Sequence, residues 1–441
     1  MRFFNLHTLA ISLSLAGLSS LAHGAGFNLL EQSNSGLGNA YAGSAAIAEN
    51  ASTIYYNPAG MMKLDGLNIS GGVSAIGPSF KFTDDQQSTV PLALAGKVPP
   101  GGNGGEAGSW ALVPNLYTSY KINEKMAVGL GISVPFGLKT EYDDNWIGRY
   151  HSRSFDIKTI NINPSVAFKL TQGVSLGLGL NVQHIQATYK KATPVPIPHP
   201  VTGQIIGVTT GDVKTKVSNT GVGFNVGLLF EPSEDTRIGI SYRSRIKHKA
   251  KGDTDLDFTV LNPATGAPMS VHRSSDASAT VSLPDLAILS GYTRLNDKWE
   301  LLGDISWTGW SSIPELTIEN KTLPTASLNL RFKDSWRVAV GANYQLNDSW
   351  KLKGGLAWDQ SPVRSTENRP ASLPDKDRFW LSVGVQYKPA TNTTIDVAYT
   401  HLFASKAKVN NTNDDIAKYG RLSGSYKADA NVIGIQVSHR F

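Results

Sequence analysis

From about residue 66 onward, a large apolar residue recurs at every second position, and Gly, Ser, Asn, Gln or a charged residue fills the places between. A period of two predicts strands, because successive side chains of a strand point to opposite faces of its sheet. Over 336–346 one face is Trp336, Val338, Val340, Ala342, Tyr344 and Leu346, and the other is Arg337, Ala339, Gly341, Asn343 and Gln345. The same sorting runs through 174–183 and 378–387. Fourteen strands are predicted, near 67–82, 110–121, 125–138, 155–170, 174–190, 213–230, 236–250, 277–294, 298–309, 334–346, 349–359, 378–388, 393–403 and 431–441. Tight turns at Asn123-Glu124, Gln172-Gly173, Pro232-Ser233, Asn296-Asp297, Asn347-Asp348 and Asn392-Thr393 alternate with long polar connections at 83–109, 139–154, 191–212, 251–276, 310–333, 360–377 and 404–429.

Sorted faces also occur in soluble sandwiches, so the connections decide. An even strand count with short turns at one end and long loops at the other predicts an all-β, 14-stranded antiparallel transmembrane β-barrel of the outer-membrane type. Aromatic residues near strand ends (Trp299 and Trp307, Trp336 and Tyr344, Trp350 and Trp358) fit two interfacial girdles, and the last strand stops at Phe441. Long loops outside place both barrel ends on the periplasmic side. Residues 25–65 lack the strand rhythm, are rich in small residues and carry Leu37, Ala40, Tyr41, Ile47 and Ile54. They are expected to form short helices and turns that plug the lumen as a hatch, with the barrel at 66–441. Residues 1–24 read as a secretory signal: Arg2, an apolar run from Leu9 to Leu21, then Ala22-His23-Gly24 before a mature start at Ala25.

Composition narrows the function. A mean hydropathy of −0.18, with one long apolar run at the start, excludes a bundle of membrane-spanning helices. The absence of Cys removes disulfides, thiolate nucleophiles and Cys-ligated zinc. A net charge of +6 is spread along the chain and gives little support for nucleic-acid binding. Gly36, Gly38 and Gly43 do not form a dinucleotide fingerprint, there is no P-loop, and nine His are scattered without ligand spacing, so no cofactor, metal site or catalytic residue is expected. A general hydrophilic porin and an outer-membrane lipid hydrolase remain as competing classes.

Three stretches carry a family resemblance. The first is Ala25-Gly26-Phe27 followed by Ser35-Gly36-Leu37-Gly38-Asn39-Ala40-Tyr41-Ala42-Gly43 and Asn57-Pro58-Ala59; the second is Phe332-Lys333-Asp334-Ser335-Trp336-Arg337; the third is Pro374 to Ser382, with Trp358 to Pro362 shortly before it. Together they resemble the outer-membrane long-chain fatty acid transporters of the FadL type over nearly the whole chain. The resemblance implies passive, hatch-gated uptake of long-chain fatty acids or similar hydrophobic molecules, which leave sideways through a gap in the third strand. Aromatic hydrocarbon import by a member of the same family is the alternative. Implied substrate contacts are Phe27, Arg378, Arg337, Lys333 and Ser382. Gating would fall to Asn57, Pro58 and Ala59, with Asp359 as a wall partner. The lateral opening would involve Ser133, Pro135 and Gly137, where Pro removes a ladder donor and Gly weakens pairing. The expected surroundings are outer-membrane lipid and lipopolysaccharide, with the chain a monomer.

Overall fold

The structure is a computed structural model, and it describes residues 26–199, 202–262 and 265–441. The proposed signal segment lies outside the described residues.

One antiparallel sheet carries β1 (Leu67–Asp84), β2 (Ala111–Asn123), β3 (Met126–Ser133), β4 (Gly137–Glu141), β5 (Ser154–Thr171), β6 (Val174–Pro198), β7 (Ile205–Phe230), β8 (Thr236–Arg243), β9 (Ile246–Leu261), β10 (Pro268–Leu283), β11 (Leu286–Arg294), β12 (Trp299–Thr308), β13 (Glu315–Asn320), β14 (Ala326–Asn329), β15 (Ser335–Asn347), β16 (Trp350–Asp359), β17 (Arg378–Ala390), β18 (Thr393–Ala404), β19 (Ala407–Asn410) and β20 (Ser423–Arg440). Each of the pairs β3 with β4, β8 with β9 and β10 with β11 is one interrupted wall strand, because both members share a partner strand or follow one another along the same wall position. β13 and β14 form a hairpin in the long connection after β12, and β19 pairs only with β20. Fourteen strands thus circle the wall, and β20 pairs with β1 from Asp84↔Gly424 to Asn68↔Arg440 to close it.

The wall is inside out relative to a soluble protein. On β15 the outward Trp336, Val338 and Val340 are exposed, while the inward Arg337, Ala339 and Asn343 are buried. Lipid accepts the apolar face, and the lumen takes the polar one. Both girdles are present. At one end Trp299 lies across from Tyr344 and Trp350 across from Tyr387, with ring centroids 4.8 and 4.5 Å apart. At the other, Trp307 faces Trp336, Trp358 faces Phe379, and Phe379 faces Phe403.

Two expected loops are corrected. Much of 191–212 and of 251–276 continues the ladder: β6 pairs with β7 as far as Pro198↔Ile205, and β9 with β10 as far as Pro268↔Leu261. Above the membrane no lipid sorts one face from the other, so the hydrophobic alternation stops while the backbone hydrogen bonds run on.

Inside the barrel lies the segment 26–65, with α1 (Asn34–Leu37), α2 (Thr53–Tyr56) and a 3-10 turn over Pro58–Lys63. A short α3 (Ile416–Tyr419) sits in the last long connection. Leu37, Tyr41, Ile54 and Met61 of the inner segment are fully buried and pack with Tyr117 and Trp380 of the wall into one core cluster.

Candidate functional site

The third wall strand breaks between β3 and β4, and the inner segment repairs the break. Leu29 N donates to Pro135 O (2.8 Å) and Gly137 N donates to Phe27 O (2.9 Å), so 27–29 substitutes for a neighbouring strand. The Gln32 side chain grips the same stretch: Nε2 donates to Val134 O (2.7 Å), and Oε1 accepts from Val134 N (2.9 Å). On the other side, the ladder between β2 and β3 ends at Leu116↔Ile132, so Ala111 to Asn115 pair with β1 alone. Polar atoms without partners gather here: Ser133 Oγ, Asn28 Oδ1 and both side-chain atoms of Asn115 are buried and unbonded. Buried polar groups are rarely left so. The predicted trio Ser133, Pro135 and Gly137 therefore lies together at a discontinuity that the inner segment closes from within.

Phe27 links this closure to an apolar cavity. Its ring packs on Trp310 (centroids 4.7 Å) and Phe136 (6.1 Å), and Trp310 packs in turn on Phe332 (5.9 Å). Gly26 fits only as glycine: its φ is +67°, and a Cβ would lie 2.6 Å from the Trp310 ring. Above Phe27 the cavity holds about 70 Å³ and is walled by Ile157, Ile185 and Val217 of the barrel and by Ile313, Ile318 and Leu330 of the connection after β12. Tyr189, Leu328, Leu330 and Ser372 also line a smaller polar cavity of about 30 Å³, together with His151, Lys191, Asn368, Asn411, Asp414 and Tyr419.

Lys191 is the cation at that junction. It lies in the extension of β6 above the apolar belt, its ammonium 4.5 Å from the centre of the Tyr419 ring. Among the described residues no carboxylate is within ion-pair distance of it, whereas His151 Nδ1 lies 3.4 Å from Asp414 Oδ2. Burial lowers its pKa to about 8, helped by nearby Lys418 and opposed by Asp414. Sequence reasoning missed Lys191 because it sits in a stretch read as polar loop.

The predicted arginines occupy a different layer. Arg378 Nη2 lies 3.3 Å from Asp359 and 3.5 Å from Asp375, and Asp375 Oδ2 also accepts from Gly26 N (3.1 Å). Arg337 pairs with Asp304 at 3.4 Å and donates to Ala40 O, within a turn where Ala40 and Tyr41 both take left-handed φ. Glu31, buried with neither oxygen hydrogen-bonded, feels both guanidinium groups. Ser382 shares a 2.7 Å hydrogen bond with Thr400, which donates to Leu37 O. Lys333 is half-buried, with its backbone N–H on Pro362 O. None of Arg378, Arg337, Lys333 and Ser382 lines the apolar cavity.

The inner segment is pinned by wall cations acting on its carbonyls. Arg237 donates to Ile47 O (2.6 Å), Arg243 to Tyr55 O (2.8 Å), Lys353 to Ser35 O (3.0 Å) and Arg337 to Ala40 O. Lys353 is buried and also pairs with Glu49 of the segment (2.9 Å) and Asp396 of the wall (3.0 Å). Asn57 adds a polar clamp: its Nδ2 donates to Ala45 O (2.8 Å) and to Leu228 O of β7 (2.9 Å), while its Oδ1 caps the turn at Ala59 N (3.1 Å). Pro58 starts that turn, where a missing N–H costs nothing. The wall contact of Asn57 is thus a β7 carbonyl, and Asp359 sits with Arg378.

This approach depends on two wall glycines. A Cβ at Gly227 would run into Asn57, and one at Gly177 into Ala59. Gly227→Val is therefore expected to lift Asn57 off the wall while the barrel still closes. The one side-chain hydrogen bond that Asn57 donates to the wall, at Leu228 O, is worth about 1 kcal/mol, which implies amide exchange across 53–63 roughly fivefold faster. Unchanged exchange there would show that the Asn57 contact does not hold the segment.

Comparison with known proteins agrees with this architecture. The Long-chain fatty acid transport protein of Escherichia coli (strain K12) is 30% identical over 424 residues, 91% of this chain and 93% of that protein. Outer membrane protein P1 of Haemophilus influenzae is 31% identical over the whole of both chains. The crystal structure of a Pseudomonas aeruginosa FadL homologue superposes with a TM-score of 0.83 at 26% identity, covering 95% of this chain and all of the other. The Pseudomonas putida toluene transporter TodX shares the fold, with a TM-score of 0.69 at 16% identity. Residues 15–441 match one family throughout, and the chain belongs to the outer membrane protein transport proteins, the OMPP1/FadL/TodX family.

Proposed function

We propose that the protein takes up acid-headed hydrophobic molecules, long-chain fatty acids in the first place, by passive diffusion gated by the segment 26–65 and released sideways at 134–136. The observation that carries this reading is the apolar cavity whose outer mouth holds a buried cation, Lys191, with no ion pair among the described residues. A desolvated carboxylate is costly unless it is paired, and an ammonium supplies the partner. The alkyl tail contributes about 0.8 kcal/mol per buried methylene, so the tail sets affinity and the head sets orientation.

At about 70 Å³ the cavity is smaller than the roughly 150 Å³ that accepts benzene in an engineered core. Cargo must therefore push side chains aside. Phe27 is the cavity's floor, and its own carbonyl is bonded to Gly137 at the break. Displacing the ring strains that bond, so filling the cavity loosens the closure at the gap. Charge relay through Asp375, which touches both Gly26 N and Arg378, ties the same movement to the arginine layer. The chemistry is transport, with no bond made or broken. The closed barrel needs no second copy; the working form is a monomer among outer-membrane lipid and lipopolysaccharide.

Native mass spectrometry of the detergent-purified protein tests this, with competition by a long-chain fatty acid and by a simple aromatic. Fatty acid is expected to bind, and Lys191→Met to weaken it by about tenfold, the value of one charge-assisted contact at 1.5–3 kcal/mol after losses. Lys191 carries its charge below about pH 8 and the ligand carboxylate ionises well below that, so wild-type affinity falls as pH rises through about 8 and beyond, and the variant's does not. Binding of the aromatic alone, with Lys191→Met indifferent, would move the cargo to neutral hydrocarbons.

A further inference from the structure

The outer face of β9 carries a row of three cations that the transport reading does not use. Along Ile246–Leu261 the odd positions point outward, and Lys247, Lys249 and Lys251 follow one another there, all exposed. They begin where the apolar belt stops. On the neighbouring β7, outward Phe230, Leu228, Phe224 and Val222 are exposed to lipid, then Thr220 and Ser218 take over. Ser218 lies directly across from Lys251, so the row descends from there toward Val222. At about 3.3 Å per residue the three ammonium stems span roughly 13 Å of strand just above the belt.

Directly across the ladder their neighbours are hydroxyls, and the acids further along the same face, Asp253 and Asp255, stand across from Lys216 and Lys214 of β7. Across the ladder to β10, Lys247 faces Ser282, Lys249 faces Thr280 and Lys251 faces Ser278. Several other cations of the outer wall are paired: Lys81 lies 3.8 Å from Glu106, Lys139 2.9 Å from Glu141, and Arg245 3.2 Å from Asp285. The three lysines of β9 have no such carboxylate among the described residues.

We infer that this face binds the phosphates of the phosphorylated glycolipid that fills the outer leaflet, lipid A of lipopolysaccharide. The charge is complementary, the hydroxyl row supplies further donors to phosphate oxygens, and the height matches the interface where acyl chains give way to the phosphorylated sugar. The inference rests on the outer-membrane location and not on which cargo is carried.

The test is native mass spectrometry of the full chain in detergent, titrated with bis-phosphorylated lipid A, with the same lipid stripped of both phosphates, and with inorganic phosphate. The expected result is retained bis-phosphorylated lipid A, weakened on the order of a hundredfold by Lys247→Ala/Lys249→Ala/Lys251→Ala, from about fivefold per lysine beside an anionic lipid surface. Lys214→Ala/Lys216→Ala is expected to cost no more than about threefold. All five are surface residues, and fatty-acid binding by each variant reports intact folding independently of the lipid result. Equal binding of the phosphate-free lipid, an equal loss in the β7 variant, or no loss in the β9 variant would overturn the inference; so would inorganic phosphate competing as well as lipid A.

Discussion

Lys353→Met is expected to free the inner segment while leaving the barrel closed. The wild-type ammonium is buried between Glu49 of the segment and Asp396 of the wall, at 2.9 and 3.0 Å, and also holds Ser35 O. Methionine keeps much of the volume but leaves two carboxylates facing one another without a cation. Breaking a buried pair from one side costs about 3–5 kcal/mol, and the weaker partner in this case is the segment, since Asp396 sits in a strand held by full ladders on both sides. Amide exchange over 34–50 is expected to rise a hundredfold or more with strand content unchanged. In planar bilayers the wild type should conduct almost nothing, and the variant should show openings. Adding Glu49→Gln and Asp396→Asn removes the unpaired charges and should restore most of the closure. A silent Lys353→Met protein with unchanged exchange would mean that the hydrogen bonds at Asn57 and Gln32 suffice by themselves.

Phe27→Ala is the second large effect. The ring fills the space between Trp310, Phe136 and the apolar cavity, and a buried Phe contributes about 1.5–3 kcal/mol from its removal from water. Without it the cavity loses its floor, so fatty-acid binding is expected to weaken by tenfold to a hundredfold. Uptake by cells carrying equal amounts of the protein in the outer membrane is expected to fall in parallel, because tail burial no longer pulls on the Phe27 carbonyl that Gly137 holds. Leu29 and Gln32 still bond to Pro135 and Val134, so the variant remains closed at rest and conductance stays low. Full uptake by Phe27→Ala would take the residue out of the path.

The two variants separate functions that a single hatch contact would merge. Lys353 fixes the segment against the far wall, whereas Phe27 couples its first residues to cargo and to the break. Arg237, Arg243 and Arg337, each on a segment carbonyl, belong with Lys353. Arg337 holds the turn at Ala40 and does not line the apolar cavity.

How far the sequence reached depends on what lipid imposes. Wherever a strand crosses the membrane, one face must be apolar and the other polar, so Trp336 to Leu346 announced both its strand and its facing, and the tight turns fixed the wall order. Above the belt that constraint ends. The extensions of β6, β7, β9 and β10 are held by backbone hydrogen bonds that any polar side chain tolerates, and they read as loops. The break at Ser133 to Gly137 was legible because Pro135 lacks a donor, a property of the residue itself. Its repair by Phe27 and Leu29 was not, since a pairing across more than a hundred residues leaves no local trace. The same holds for charge. Arg378, Arg337 and Lys191 are equivalent as letters, and all three point inward. Only the closed barrel determines that Asp359 and Asp375 reach Arg378 and that Asp304 reaches Arg337, while Lys191 is buried beside Tyr419 with no ion pair among the described residues. Facing follows from alternation along one strand; partnership follows from which strands curl together, and electrostatic free energy depends on the distances that this closure sets.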